Sequence, residues 1–218
     1  MMDISELHKI LLDKYGDVGW WPGESDEEIL IGAVLTQNTS WSNVEKAINS
    51  LKTSGMLSLS SIANSDPGRI APLIRSSGYY NQKGRRLVLI SRSILEKYGS
   101  LGNIRLAGLE EANNFLMSLN GIGRETCDSI LNYALDFPVF VVDKYTLRIF
   151  SRTGIGDMNV DEAKSLVYSS IGRDTAILKN LHGMIVFLGK DYCKTKPVCD
   201  GCPLNIKCQY FLKKDKGQ

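Results

Sequence analysis

Residues 119–130 read LNGIGRETCDSI. Two glycines flank one isoleucine, and apolar residues recur at helical spacing on both sides, so the stretch is a tight turn joining two helices. Gly121 and Gly123 free the backbone to turn sharply and to come close to another backbone, while Ile122 points inward and locks the turn. The amides opening the second helix then face outward, where the helix dipole reinforces them as a phosphate site. A glycine turn of this kind is common between helices and assigns no function by itself.

Helical patterns continue outward in both directions. Leu7, Ile10 and Leu11 recur at helical spacing, as do Ile29, Val34 and Leu35, then Val44, Ala47, Ile48 and Leu51. In SDPGRIAPLIRSSG (65–78) Ser65 or Asp66 is the N-cap, Pro67 the first helical residue and Gly78 the stop. A longer helix over 82–98 places Leu87, Ile90, Ile94 and Leu95 inward. Further helices are predicted at 109–118, 124–135, 143–151, 161–170 and 174–190. PVFVV (138–142) has no partner run and reads as a buried connector, and the last eight residues, FLKKDKGQ, read as frayed. The fold class is all-α.

The chain has 218 residues, enough for one large domain or two modest ones. Its net charge is only +2, so a nucleic-acid surface must come from local clustering. Lys83, Arg85, Arg86 and Arg92 line the 81–98 helix, and Lys190, Lys194 and Lys196 flank the first clustered cysteine; either group is a phosphate contact or a solvated face. His8 and His182 read as structural. No apolar run approaches 18 residues, so a membrane span is not expected. MMDISELHKILLDKYG carries acids in an amphipathic pattern rather than a signal peptide, so the expectation is a soluble cytoplasmic protein.

Four of the five cysteines fall in the pattern Cys193-x5-Cys199-x2-Cys202-x5-Cys208. Thiolates are soft ligands that suit zinc or iron–sulfur clusters. Zinc usually takes two CxxC knuckles separated by a longer loop, and here there is one. Evenly short loops, two of them stiffened by Pro197 and Pro203, wrap a single compact object, which favours a [4Fe-4S] cubane. Held rigid, the loop would present Lys194 and Lys196 to phosphates. Cys127 stands apart as a small core residue. Asp143, in FVVDKYTLRIF (140–150), follows an apolar run and opens a helix, which on its own is an ordinary N-cap.

In combination, the hairpin, Asp143 and the four-cysteine tail resemble the helix-hairpin-helix (HhH-GPD) DNA glycosylases of the endonuclease III type. The likeness covers residues 5–210 and includes GAVLTQNTSW (32–41), SGYYNQKGRRL (77–87), LNGIGRETCDSI (119–130) and VVDKYTLRI (141–149). It implies two helical domains with a cleft between them. One is a six-helix domain over 19–130 carrying the hairpin; the other, over 1–18 and 131–218, carries the iron–sulfur loop (193–208). It implies that Asp143 is the catalytic carboxylate and that the hairpin, through Gly121 and Gly123, grips phosphates beside the lesion. Gln37 would fill the hole left by a flipped nucleotide, with Tyr79 as a second wedge. The implied partner is double-stranded DNA containing a damaged base, bound by a monomer. The sequence departs from the pattern at Glu125, where members that also cut the strand carry a lysine able to form a Schiff base. Lys144 beside Asp143 is better read as a phosphate contact. Asn120 replaces a common hairpin proline, and the first cysteine loop is one residue short.

The base is read from the tryptophans. Trp20 and Trp21 lie in GWWPG (19–23), and Trp41 faces the same cleft if it sits one helical turn beyond Gln37. Aromatic faces favour a cationic base by about 0.5–2 kcal/mol. A purine alkylated at N3 or N7 is such a cation and leaves without protonation. WWP, TQNT and VVDKY also resemble the endonuclease-III-like 3-methyladenine glycosylases. The expected activity is therefore monofunctional excision of an alkylated purine. The alternatives are a uracil or thymine glycosylase acting on G mispairs, and a non-catalytic iron–sulfur DNA-binding protein.

Overall fold

The computed structural model describes residues 2–215, and every regular element among them is helical. In chain order the α-helices are α1 (Ile4–Tyr15), α2 (Asp26–Leu35), α3 (Trp41–Thr53), α4 (Leu59–Ala63), α5 (Pro67–Leu73), α6 (Tyr80–Tyr98), α7 (Leu101–Leu106), α8 (Leu109–Ser118), α9 (Arg124–Ser129), α10 (Lys144–Thr153), α11 (Val160–Ile171), α12 (Thr175–Asp191) and α13 (Gln209–Asp215). No described helix is long and apolar enough to cross a membrane.

The chain divides into two units, Pro22–Phe137 and the pair of segments Met1–Trp21 and Pro138–Gln218. These bounds place Trp20, Trp21 and the whole PVFVV connector with the terminal segments. The central unit holds α2 to α9, more segments than the six expected. The sequence breaks its helices into short pieces at Ser58, Asp66 and Ser100, each of which caps the next helix with its side chain. Every residue from Ile29 to Leu35 is buried, as expected of a helix apolar on all sides. Helices α4 and α5 pack against α6.

Pro67 is the first residue of α5 and Asp66 its cap, with Oδ1 accepting from the Gly68 amide at 2.7 Å. That helix stops at Leu73, and a 3-10 turn over Arg75–Ser77 runs on to Gly78. The helix expected over 124–135 is α9 followed by a π-helical turn, Ile130–Ala134, in which the Leu135 amide reaches back to Ile130 at 2.9 Å. The extra residue rotates the face, so Ile130, Leu131, Tyr133 and Ala134 are all buried.

In the other unit Leu7 and Leu11 of α1 share a core with Phe140, Ile149, Phe150, Leu181 and Ile185. PVFVV is irregular, and Phe140 is fully buried, as expected of a connector. The C-terminus corrects one expectation. Residues 209–215 form α13 instead of fraying, with the Leu212 amide bonded to the Cys208 carbonyl at 3.0 Å. The remaining tail, 216–218, lies outside the described residues.

Candidate functional site

Asp143 is the N-cap of α10. Its Oδ1 accepts from the Thr146 amide at 2.8 Å and from the Thr146 hydroxyl at 3.0 Å, a capping box. Its Oδ2 lies 3.8 Å from His182 Nε2, which projects from α12. Both side chains are nearly buried, at 10% and 5% exposed, so the pair is shielded from water. Burial pushes the Asp143 carboxyl up, but His182 and the two Thr146 bonds outweigh it and hold the carboxyl below its usual range. A buried, ionised carboxylate is more than a cap requires. His182 is the residue that sequence reading missed, because nothing in a lone histidine on an apolar helix face points to an acid 39 residues earlier.

The hairpin lies between α8 and α9, closed by a 3.1 Å bond from the Ile122 amide to the Leu119 carbonyl. Gly121 has φ +97°, and a Cβ there would sit 2.4 Å from Arg86 Cδ. Gly123 caps α9 from an extended conformation, and a Cβ there would meet nothing within 4 Å. Only the first glycine is demanded by the fold. Gly121→Ala should therefore cost about 1–2 kcal/mol in thermal unfolding. Gly123→Ala should leave the melt within about 0.5 kcal/mol of wild type and lower duplex affinity. Ile122 is buried, as predicted. Gln37 is tied to this turn: its Nε2 donates to the Gly121 carbonyl at 2.8 Å and to Thr126 Oγ1 at 3.0 Å, and its Oε1 accepts from Arg86 Nη1 at 3.4 Å. Tyr79 is 70% exposed with φ +46°, a left-handed conformation that a tyrosine adopts only under constraint.

The four clustered cysteines line one small pocket, together with Ile149, Leu188, Pro197 and Tyr210. Helix α10 grips this loop. Arg148 Nε donates to the Cys193 carbonyl at 2.8 Å, and the Arg152 guanidinium donates to Lys194 O at 2.6 Å, Thr195 O at 2.9 Å and Cys193 Sγ at 3.4 Å. Burial pushes the Cys202 thiol up to about 11, with the neighbouring cysteines adding to it. Among the described residues no group of three or more His, Cys, Asp or Glu side chains is arranged to hold a metal ion as it stands.

The sequence matches the HhH-GPD superfamily of base excision DNA repair proteins over residues 31–169. The chain belongs to that family. A Methanocaldococcus jannaschii protein, provisionally named a DNA repair glycosylase, is 43% identical over 94% of this chain and 95% of its own length. Endonuclease III of Thermotoga maritima is 32% identical, covering 87% of this chain and 85% of its own. The crystal structure of an H. pylori 3-methyladenine DNA glycosylase bound to 1,N6-ethenoadenine superposes with a TM-score of 0.78 at 32% identity, over 87% of this chain and 98% of the other.

In this HhH-GPD glycosylase three sequence expectations need correction. Trp41 is not one helical turn beyond Gln37. Helix α2 ends at Leu35, Asn38 turns the chain with φ +56°, and Trp41 opens α3, where its Nε1 donates to Glu45 Oε1 at 2.9 Å. The basic stripe on α6 is not uniformly available either. Lys83 is 2% exposed, and Arg92 donates to the Ala63 and Ser65 carbonyls. Lys190 is drawn over the Trp20 ring, 5.0 Å from its centroid. Trp20 also meets Phe187 edge-on at 5.8 Å and Trp21 at 5.9 Å. A Cβ on Gly183 would strike Trp20 Cβ at 2.5 Å, so α12 carries glycine where the indole seats. Lys144, Lys194 and Lys196 are exposed, and the Lys144 ammonium lies 5.5 Å from the Tyr145 ring centroid.

Proposed function

We propose that this glycosylase is monofunctional, flipping a damaged nucleotide out of duplex DNA and hydrolysing the N-glycosidic bond of an alkylated purine such as 3-methyladenine. The observation that carries the reading is Asp143, a buried carboxylate kept ionised against its own burial. Breaking the bond passes through a sugar cation, and a fixed carboxylate beside it stabilises the developing charge and orients the attacking water. Glu125 is exposed on the hairpin helix where strand-cutting members place an amine, and Lys144 is engaged with an aromatic ring. Neither supports a Schiff base to the sugar. Identity does not separate the two activities, since a 3-methyladenine glycosylase and an endonuclease III are equally similar. The H. pylori enzyme's etheno-purine ligand and the Trp20–Trp21 pair favour a purine, with Trp20 as the floor that seats Trp21. Gln37, Tyr79 and the hairpin are assigned to the duplex.

The four cysteines fit a [4Fe-4S] cluster: four soft donors share one largely apolar pocket, and Arg152 donates to one of the sulfurs. Bound there, the cluster supplies a rigid tie between loop segments rather than chemistry at the sugar. Lys194 and Lys196, exposed on that loop, then face phosphates.

A panel of lesion duplexes, scored with and without alkali, tests the proposal. The expected result is free 3-methyladenine from methylated DNA, with strand breaks appearing only after alkali. Strand breaks without alkali would overturn the monofunctional assignment, and release of uracil or thymine from G mispairs in place of the purine would overturn the substrate class.

A further inference from the structure

Lys83 is 2% exposed and is among the largest side chains buried to that degree in the described residues. A buried ammonium is costly, and a methionine would fill the same space without that cost. The charge has a specific use here. Lys83 Nζ donates to the Leu35 carbonyl at 2.8 Å and to the Ser77 carbonyl at 2.7 Å. Leu35 is the last residue of α2, and Ser77 is the last residue of the 3-10 turn before α6. Gln37 and Tyr79 each lie two residues beyond the carbonyl that is held. Both segments pass at once into left-handed backbone, at Asn38 (φ +56°) and Tyr79 (φ +46°), and Asp136 is the only other non-glycine with positive φ among the described residues. Strained backbone persists only where its surroundings over-determine it. The Lys83 amide adds a third tie, donating to the Tyr79 carbonyl at 2.9 Å.

We propose that Lys83 is the positioning residue of the duplex-probing surface, one buried cation that sets the Gln37 and Tyr79 segments together. The proposal rests on the glycosylase reading only in giving those two segments to DNA. Burial and Arg86 lower the Lys83 pKa to about 8, so the ammonium is charged at neutral pH with donors for both carbonyls. Sequence reading placed this lysine on a solvated or DNA-facing stripe. Its contacts turn inward, and its influence on DNA runs through the backbone.

Lys83→Met removes the donors and keeps the volume. Amide hydrogen exchange in the full-length protein should accelerate about tenfold at residues 36–40 and 77–81 and stay unchanged elsewhere. Single-turnover base release should fall about 10- to 100-fold, while affinity for undamaged duplex stays within about twofold, being set by phosphate contacts. Combined with Tyr79→Ala, the loss should be smaller than the product of the two single losses, as for residues acting through one element. Lys83→Gln, which retains an N–H donor, serves for the same exchange measurement if the methionine variant does not fold. Exchange that rises evenly across Pro22–Phe137, or losses that multiply, would make Lys83 a plain core residue and overturn the proposal. Should the wild type release no base from any duplex, the glycosylase reading fails while the exchange pattern still decides Lys83.

Discussion

Asp143→Asn should leave a folded protein that binds a lesion duplex as wild type does and releases base about 10²–10³-fold more slowly. Asparagine is as good an N-cap as aspartate, and its carbonyl oxygen can still accept from the Thr146 amide, so α10 keeps its start. What the substitution removes is the negative charge proposed to stabilise the sugar cation. Single-turnover release against thermal melting separates the two: the rate collapses while the melt moves by about 1 kcal/mol or less. An asparagine variant with wild-type turnover on methylated DNA removes Asp143 from the chemistry. The pH dependence follows from the same contacts. The folded carboxyl lies below its ordinary range, so activity that depends on the carboxylate persists through the mildly acidic region and falls only as pH drops through that lowered value. Its contribution to stability has the same sign, present above the unfolded pKa and lost as pH falls through the folded one.

The second large effect concerns the cysteine loop. Purified protein should carry roughly four iron and four sulfide per chain and absorb in the visible range. Cys199→Ser with Cys202→Ser should bleach it. Losing a structural metal group costs on the order of 4 kcal/mol or more, and in a chain of this size that lowers the Tm by about 8–16 °C. The first segments to lose hydrogen-exchange protection should be 193–208 and α13, since Cys208 leads directly into that helix. A colourless protein holding one zinc per chain overturns the iron–sulfur assignment.

Much of this was legible in the residues, for reasons that can be named. The hairpin shows because a turn between helices needs glycine at particular dihedral angles, and Gly121 supplies φ +97° where the pattern asks for it. Pro67 and Asp66 mark the start of α5 because capping chemistry is local. The failures are equally physical. A π-helical turn over Ile130–Ala134 leaves the same apolar composition as an α-helix, so the extra residue is invisible in the sequence. Lys83, Arg92 and Lys190 carry charges that read as free surface, yet Lys83 is buried on two backbone carbonyls, Arg92 is bonded to two others while still exposed, and Lys190 lies over an indole. His182 meets Asp143 only because α12 packs on α10, a tertiary fact with no local signature. Spacing misplaces Trp41 because helix α2 stops at Leu35 and the chain turns through left-handed Asn38 before α3 begins, where spacing alone would continue the helix.

The division of the chain also dictates an order of events during synthesis. Helix α1 is made ahead of the residues that share its core, Phe140, Ile149, Leu181 and Ile185, with all of Pro22–Phe137 between them. The intervening segment Pro22–Phe137 has all of its own partners in hand by then and folds as a unit while elongation continues. Until Phe140 and the residues after it emerge, Leu7 and Leu11 lack the apolar partners of their core and must wait, exposed to chaperones or to one another's copies. Docking α1 on those residues closes the long loop that contains the whole of Pro22–Phe137, and the entropy lost rises only slowly with loop length.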